Sequence, residues 1–461
     1  MGAIEFFAGW LFLALLGAGS VVVGWEVVSA GHPARWAEPD GGRKVSKWLE
    51  WPRLPLIADA LAAAVAVSLP WSTTATGILI TAWFAAAVLA LDRGALRRAV
   101  SAAAGGLPLI LLAIAVLGMA WADVSVRVRL GGLDGFLKLL FIPLLLAQMS
   151  RSEHGWWVIL AFFGSATVLL LVSWCLALIP GLSWRGNYVG VPVKDYIFQS
   201  GEFALCAFAL LGYGVELWRS RRRELAVAAV LLAAIFFANV AYVELARTTL
   251  VTSSVLVLLF GFRTFGWTGM LGAAIAGCLL AGALWVSSDY LRERVIGAID
   301  EVQVYRTEHA ATSSGLRLEY WKKSIEAIPK SPIIGFGTGS IPEVLAESAT
   351  SDGMSFGTVN PHNQIFVVAI QLGLIGTIAL LAMWAAHIAL FSGNGLVDWI
   401  GLAAVVQLVG SSLFNPHLSD FSQGWLYVFA VGVLGGMVQG REAARRPLAQ
   451  PLRGHTAAAA E

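Results

Sequence analysis

Charge is what this chain has least of. Lys, Arg, Asp and Glu together make up 13% of its 461 residues, about half the usual share of roughly 25% in a soluble domain. That excludes an ordinary water-facing surface over most of the molecule. Cysteine is scarcer still: Cys175, Cys206 and Cys278 each lie inside an apolar run. They therefore read as buried small residues rather than a disulfide framework or paired metal ligands. There is no Asp-x-Asp pair, no glycine-rich phosphate loop ending in Lys, and no His-Glu-x-x-His. A divalent ion prefers several carboxylates, so neither a metal nor another cofactor is expected. No basic segment precedes the first apolar run, so no cleavable leader is expected either. The net charge of +2 is spread over short basic clusters, which argues against a nucleic-acid partner.

What is present is hydrophobic, 58% of the chain, gathered into runs long enough to cross about 30 Å of hydrocarbon. The expectation is an all-α polytopic membrane protein of 12–13 transmembrane helices. The runs lie at about 5–28, 55–70, 73–91, 104–122, 134–149, 156–179, 200–218, 224–243, 248–263, 266–286, 363–391, 397–414 and 421–439. Four regions follow: a helical body 1–287, a large polar segment 288–360, C-terminal spans 361–440, and a tail 441–461 expected to be cytoplasmic and disordered. Threading these spans puts the basic clusters at Arg35 to Arg53, Arg93 to Arg98, Arg151, Arg219 to Arg223, Arg263 and Arg441 to Arg453 on one side. By the positive-inside rule that side is cytoplasmic, and segments 123–133, 180–199, 244–247, 287–362 and 415–420 face out.

The external segments hold the polar residues with something to explain. Asn360-Pro361-His362-Asn363 reads as a helix start, with Asn360 as cap and Pro361 at the first helical position. His362 then falls in the first turn, where the helix dipole disfavours imidazolium. It is either a base at the membrane surface or a residue that merely bonds the helix end. Arg247 stands between two apolar runs, with Glu244 an available partner; an ionisable group at that depth is paired or functional. In 315–328 an apolar stripe of Leu318, Trp321, Ile325 and Ile328 predicts a helix lying in the interface plane. Arg317 opens that helix, as a lipid-headgroup contact or part of a site. Arg185 and Lys194 are the basic residues of 180–199. Several external Arg residues beside a His suggest an anion site, because guanidinium stays charged and donates in pairs. Asp289 and the pair Asp300-Glu301 read as solvated, His387 as a core hydrogen-bonding residue, and Asn415-Pro416-His417 as an unassigned echo of the first motif.

These residues resemble a family. His362-Asn363, nine residues, then Gly373-Leu374-Ile375-Gly376-Thr377 is similar to the signature of the O-antigen ligases, a group related to O-antigen polymerases and bacterial O-oligosaccharyltransferases. Arg317 to Trp321, then Pro329 and Gly335-Phe336-Gly337-Thr338-Gly339, resembles the run that precedes that His. Arg247 and Arg185-Gly186 resemble upstream elements, although Val191 to Tyr196 departs from the Asn- and Pro-rich pattern found there. The resemblance implies a metal-independent glycosyltransferase of the GT-C type in the bacterial inner membrane, with a periplasmic active site. Its donor would be a glycan on undecaprenyl diphosphate and its acceptor a sugar hydroxyl of lipid A–core. His362 would be the base, and Arg247 and Arg317 would stabilise the diphosphate. Arg185, Asn363, Trp321 and Lys194 would contact substrate. A polymerase or protein O-oligosaccharyltransferase would share this chemistry. A non-enzymatic flippase would instead need polar residues through both leaflets.

Overall fold

The computed structural model describes residues 53–182, 184, 189–308, 312–347 and 360–445. The predicted span 5–28, Arg185, Gly186 and most of the tail lie outside them. Of the described residues 81% are helical and none is in a strand. The helices, in order, are α1 (Leu54–Ser68), α2 (Thr73–Leu89), α3 (Arg93–Ser101), α4 (Ala103–Gly118), α5 (Val126–Leu137), α6 (Phe141–Met149), α7 (Gly155–Leu178), α8 (Tyr196–Arg219) and α9 (Arg223–Tyr242). Then follow α10 (Arg247–Ser287), α11 (Asp289–Glu308), α12 (Ser313–Ala327), α13 (Ile341–Glu347), α14 (Gln364–Leu390), α15 (Leu396–Ser412), α16 (Phe421–Phe429) and α17 (Gly435–Arg445). Every predicted span from 55–70 onward has a helix beneath it.

Among the described residues, which leave out the expected span 5–28, seven of the helical stretches are long and apolar enough to cross a membrane. They become eight if α2 and α3, which meet at 111°, form one bent span. That is fewer than the twelve or thirteen expected, for identifiable reasons. Helices α1, α4 and α15 are apolar but shorter. Helix α10 is continuous over 41 residues only nominally: Gly266 breaks it at φ 69°. A Cβ on Gly261 would lie 2.4 Å from the Gly269 carbonyl, and one on Gly277 3.6 Å from Val257. Residues eight apart in a straight helix lie about 12 Å apart. Helix α10 is therefore a hairpin of two arms, matching the predicted spans 248–263 and 266–286. Phe265, Trp267, Leu271 and Leu279 on it are exposed, an apolar surface that only lipid would cover without penalty. The chain is a multi-pass membrane protein. Cys175 and Cys278 share this outward-facing character and are not buried, contrary to expectation; Cys206 is.

The core is aromatic and tightly interleaved. Trp83, Phe198, Phe203, Phe208 and Phe236 are fully buried, and Phe203–Phe236 and Phe208–Phe237 join α8 to α9 edge-to-face at 5.2 Å. Such pairs contribute beyond their area burial. Polar groups within the bundle are bonded across helices: the Trp399 indole donates to the Phe208 carbonyl at 2.8 Å and the Trp83 indole to Gln148 Oε1 at 2.9 Å.

The polar segment after α10 is folded rather than merely solvated. It forms α11, α12, a short 3₁₀ turn and α13. The stripe predicted on 315–328 is divided: Leu318 and Ile325 are exposed, whereas Tyr320, Ser324 and Ala327 turn inward. The glycine run Gly335, Gly337 and Gly339 then fastens this segment to the membrane body. Phe336 N–H donates to the Ile370 carbonyl at 2.8 Å, Gly337 N–H to Gln371 at 2.9 Å, and Thr338 N–H to Gly118 at 3.1 Å. In return, Leu374 N–H donates to Pro332 at 2.8 Å. The seam lies at Gly373, where α14 bends with φ 60°; a Cβ there would sit 2.4 Å from the Ile333 backbone. Gly373→Ala is expected to cost about 2–4 kcal/mol, from left-handed backbone strain plus backbone collision. The check is the thermal midpoint of the purified variant, with Gly131→Ala, which meets nothing within 4 Å, as control.

Candidate active site

Three helix starts meet around one cleft. The loop between α9 and α10 is pinned by α11: Leu245 N–H donates to the Tyr290 hydroxyl at 3.1 Å, and that hydroxyl donates to Glu244 Oε2 at 3.0 Å. Burial raises the Glu244 carboxyl above its ordinary range. Arg247 begins α10 immediately after this loop. It does not pair with Glu244. Its Nη2 donates to Glu301 Oε1 at 2.7 Å, and its Nη1 to Glu301 Oε2 at 2.9 Å and Ser314 Oγ at 2.8 Å. Glu301 is thus no solvated position. It receives the Arg247 fork and also the Ser314 N–H and hydroxyl at 2.9 and 2.7 Å. The bond from Arg247, supported by those from Ser314, pulls its carboxyl down to about 2. One carboxylate therefore joins the start of α10 to the start of α12.

Arg317 lies one turn into α12, and its environment is different. Its Nη1 donates to Ser313 Oγ at 3.1 Å, while its buried Nε has no acceptor among the described residues. Trp321, one turn on, packs against Phe366 and Phe414 with centroids 6.2 and 6.3 Å apart; its indole N–H is likewise buried without an acceptor. Arg247, Arg317 and Trp321 line one cavity of about 340 Å³ together with Tyr196, Arg294, Glu301 and Asn415. Arg294 donates from Nε and Nη2 to the Leu245 carbonyl at 3.2 and 3.1 Å and lies 4.8 Å over the Tyr196 ring.

His362 reaches this cavity through Asn415. The helix after it begins at Gln364, not Pro361, and its cap is Asn363, whose Oδ1 accepts from the N–H groups of Ile365 and Phe366 at 2.8 and 3.3 Å. Asn363 Nδ2 donates to the Leu413 carbonyl at 2.9 Å, so its polar ends are spent on structure. Asn360 does not cap the helix; its Oδ1 accepts the His362 N–H at 2.9 Å. His362 therefore stands before the helix, at φ 49°, a left-handed conformation uncommon outside glycine. Its Nδ1 lies 3.2 Å from Asn415 Oδ1. An amide oxygen only accepts, so Nδ1 carries the proton and Nε2 keeps a lone pair. Burial lowers the imidazole below its ordinary value; the Asn415 bond opposes this and the Arg317 charge reinforces it.

Lys194 does not join this group. Its ammonium donates to the Leu69 carbonyl and stands 4.5 Å over the Phe198 ring. His417 is buried behind the site with its imidazole held near 4 by burial, and His387 is a core residue bonded to Tyr427. The sequence reading missed Glu301, Arg294 and Asn415. The first two share a face of α11, seven residues apart, a periodicity not apparent in the polar segment 288–360. Asn415 belongs to the Asn-Pro-His echo of the first motif.

The arrangement unites two guanidiniums at helix starts, a neutral imidazole with one lone pair, and buried N–H donors awaiting an acceptor. It suits an anionic ligand that loses a proton to a base nearby. No curated protein matches the chain. Residues 232–381, which begin in α9, take in Arg247, Glu301, Arg317 and His362, and end in α14, match the O-antigen ligase family. Over those residues, about a third of its length, the chain is similar to the O-antigen ligase family.

Proposed function

We propose that this protein transfers O-antigen polysaccharide from undecaprenyl diphosphate to a sugar hydroxyl of lipid A–core. The reaction takes place at the periplasmic face of the bacterial inner membrane. The family supports glycan transfer in a membrane setting. The observation that carries the finer reading is the set of unpartnered buried donors in the cleft: Arg317 Nε, Trp321 Nε1 and Asn415 Nδ2. Each buried N–H without an acceptor costs about 1–3 kcal/mol, and a diphosphate or glycan oxygen would remove that cost.

In the proposed step the acceptor oxygen attacks the anomeric carbon and its proton passes to His362 Nε2. The bond from that carbon to the diphosphate oxygen breaks, and direct displacement inverts the centre. Arg317 and Arg247 neutralise the charge arriving on the leaving group. Because guanidinium supplies that neutralisation, no metal is required. Arg185, outside the described residues, completes the proposed donor contacts.

The test is incubation of the purified protein with a defined undecaprenyl-linked glycan and lipid A–core, with and without excess chelator. A ligated band in both supports the reading. Product only with a second lipid-linked glycan, or only with a protein acceptor, assigns the polymerase or protein-modifying reaction instead. Activity is further expected to fall as pH drops through the depressed His362 value, because only the neutral imidazole accepts a proton. Removing a neighbouring cation raises that value, so Arg317→Gln should move the acid limb of kcat/KM to higher pH. A limb that stays put would separate Arg317 from the base.

A further inference from the structure

Ionisable side chains buried within the bundle are matched almost throughout. Asp59 accepts from Gln148 at 2.8 Å and Ser152 at 2.6 Å. Lys138 donates to the Leu418 and Asp420 carbonyls at 3.2 and 2.7 Å. Asp398 accepts from the Gly395 N–H and from Arg441. Glu202, in the second turn of α8, is different. It is 1% exposed, and neither carboxylate oxygen has a hydrogen-bond partner among the described residues.

Two further buried acceptors on this stretch are also unmatched. Gln199 Oε1, one turn earlier on α8, is one; its amide nitrogen is spent on Ser173 Oγ and the Gly190 carbonyl at 3.1 and 3.0 Å. The other is Gln407 Oε1 of α15, whose nitrogen donates to the Gly201 carbonyl at 2.5 Å and so holds the amide beside Glu202. None of these oxygens accepts a hydrogen bond among the described residues. The catalytic cleft shows the opposite pattern, donors without acceptors.

Lys194 and Glu202 feel one another's charge, and Asp195 adds a negative charge beside them, yet neither oxygen of Glu202 accepts a hydrogen bond from that ammonium. An unpaired carboxylate in a low-dielectric interior is costly. Oxygen groups of this kind replace the hydration shell of a hard cation. With a single carboxylate at its centre, the cluster suits one positive charge rather than two.

We propose that Glu202, with the amide oxygens of Gln199 and Gln407, forms a site for a monovalent metal cation inside the bundle. Tyr196, two turns or less before these residues on α8, lines the cleft. The ion would therefore fix the start of a helix that borders the reaction. The proposal does not rest on the transfer chemistry.

The test is the thermal midpoint of the full-length protein in detergent, followed by tryptophan fluorescence. Sodium chloride is titrated against N-methyl-D-glucamine chloride at constant ionic strength, with potassium chloride as a third arm. Sodium or potassium is expected to raise the midpoint saturably, by roughly 3 °C or more at high occupancy. Glu202→Gln, which preserves volume, is expected to abolish the rise, and Gln407→Leu to weaken it. A midpoint indifferent to the metal cation overturns the proposal, as does an undiminished response in Glu202→Gln. A midpoint that rises on acidification but not with salt assigns Glu202 a bound proton instead and equally overturns it. Should Glu202→Gln fail to fold, equilibrium binding of radioactive sodium to the wild-type protein decides: about one ion per chain supports the site, and none rejects it.

Discussion

His362→Ala is expected to lower kcat for glycan transfer by about 10²–10⁴-fold, the usual contribution of a positioned general base. The loss should fall on kcat more than KM, because the imidazole acts on the acceptor proton rather than holding the donor diphosphate. The bundle should remain folded. His362 is only half-buried, and the substitution removes one side-chain hydrogen bond, to Asn415. Asn415→Leu is the informative companion. It leaves the imidazole in place but removes the acceptor that assigns the proton to Nδ1, so kcat should fall by about 10-fold or more through the wrong tautomer. The measurement is the steady-state rate with defined donor and lipid A–core, beside a thermal midpoint for each variant. A folded His362→Ala protein with wild-type kcat would end the base assignment.

Arg317→Ala should cost about 10²–10³-fold in kcat/KM, as expected for removal of one preorganised donor to a leaving oxyanion. Arg247→Ala should differ in kind, although both residues line the same cavity. Arg247 gives Glu301 a bidentate pair and Ser314 a third bond, so little of its donor capacity is left for a ligand. Removing it orphans a carboxylate and unties α10 from α12, lowering the thermal midpoint together with activity. Arg317, with one bond to Ser313 and a buried Nε without an acceptor, should lose activity with little stability. Lysine should not rescue Arg317, because a point ammonium cannot supply the Nε donor in the same plane. Equal stability losses at the two positions would refute this division.

The sequence was most legible where the physics is one-dimensional. Apolar run length set the span positions, and even the hairpin at Gly266 was readable as two runs with a short turn. Arg247, Arg317 and His362 stood out because ionisable groups beside apolar runs need a reason. Their partners were not legible. Glu301 lies 54 residues beyond Arg247 and Asn415 53 beyond His362, and nothing in local spacing links residues so distant. The start of α14 was misplaced by a few residues because Asn360 and Asn363 are both good caps, and only the bonds to Ile365 and Phe366 decide between them. Asn363 is fixed as the cap by the same observation, with its Nδ2 donating to the Leu413 carbonyl.

The Arg247–Glu301 pair has a consequence for the cleft as a whole. Its walls carry Arg247, Arg294 and Arg317 against Glu301, so three cations less one anion leave a net charge of +2. A diphosphate esterified at both ends bears two negative charges and gains a third when the sugar departs. In the proposed transfer the proton taken by His362 would add the matching positive charge at the same moment. Without Glu301 these walls would be over-positive by one and would hold the trianionic product all the more tightly. With Glu301 present, the charge of these described walls would balance the proposed donor and balance it again after the sugar leaves. Once His362 gave up its proton, product would stand one negative charge in excess against them, an imbalance that would favour its departure.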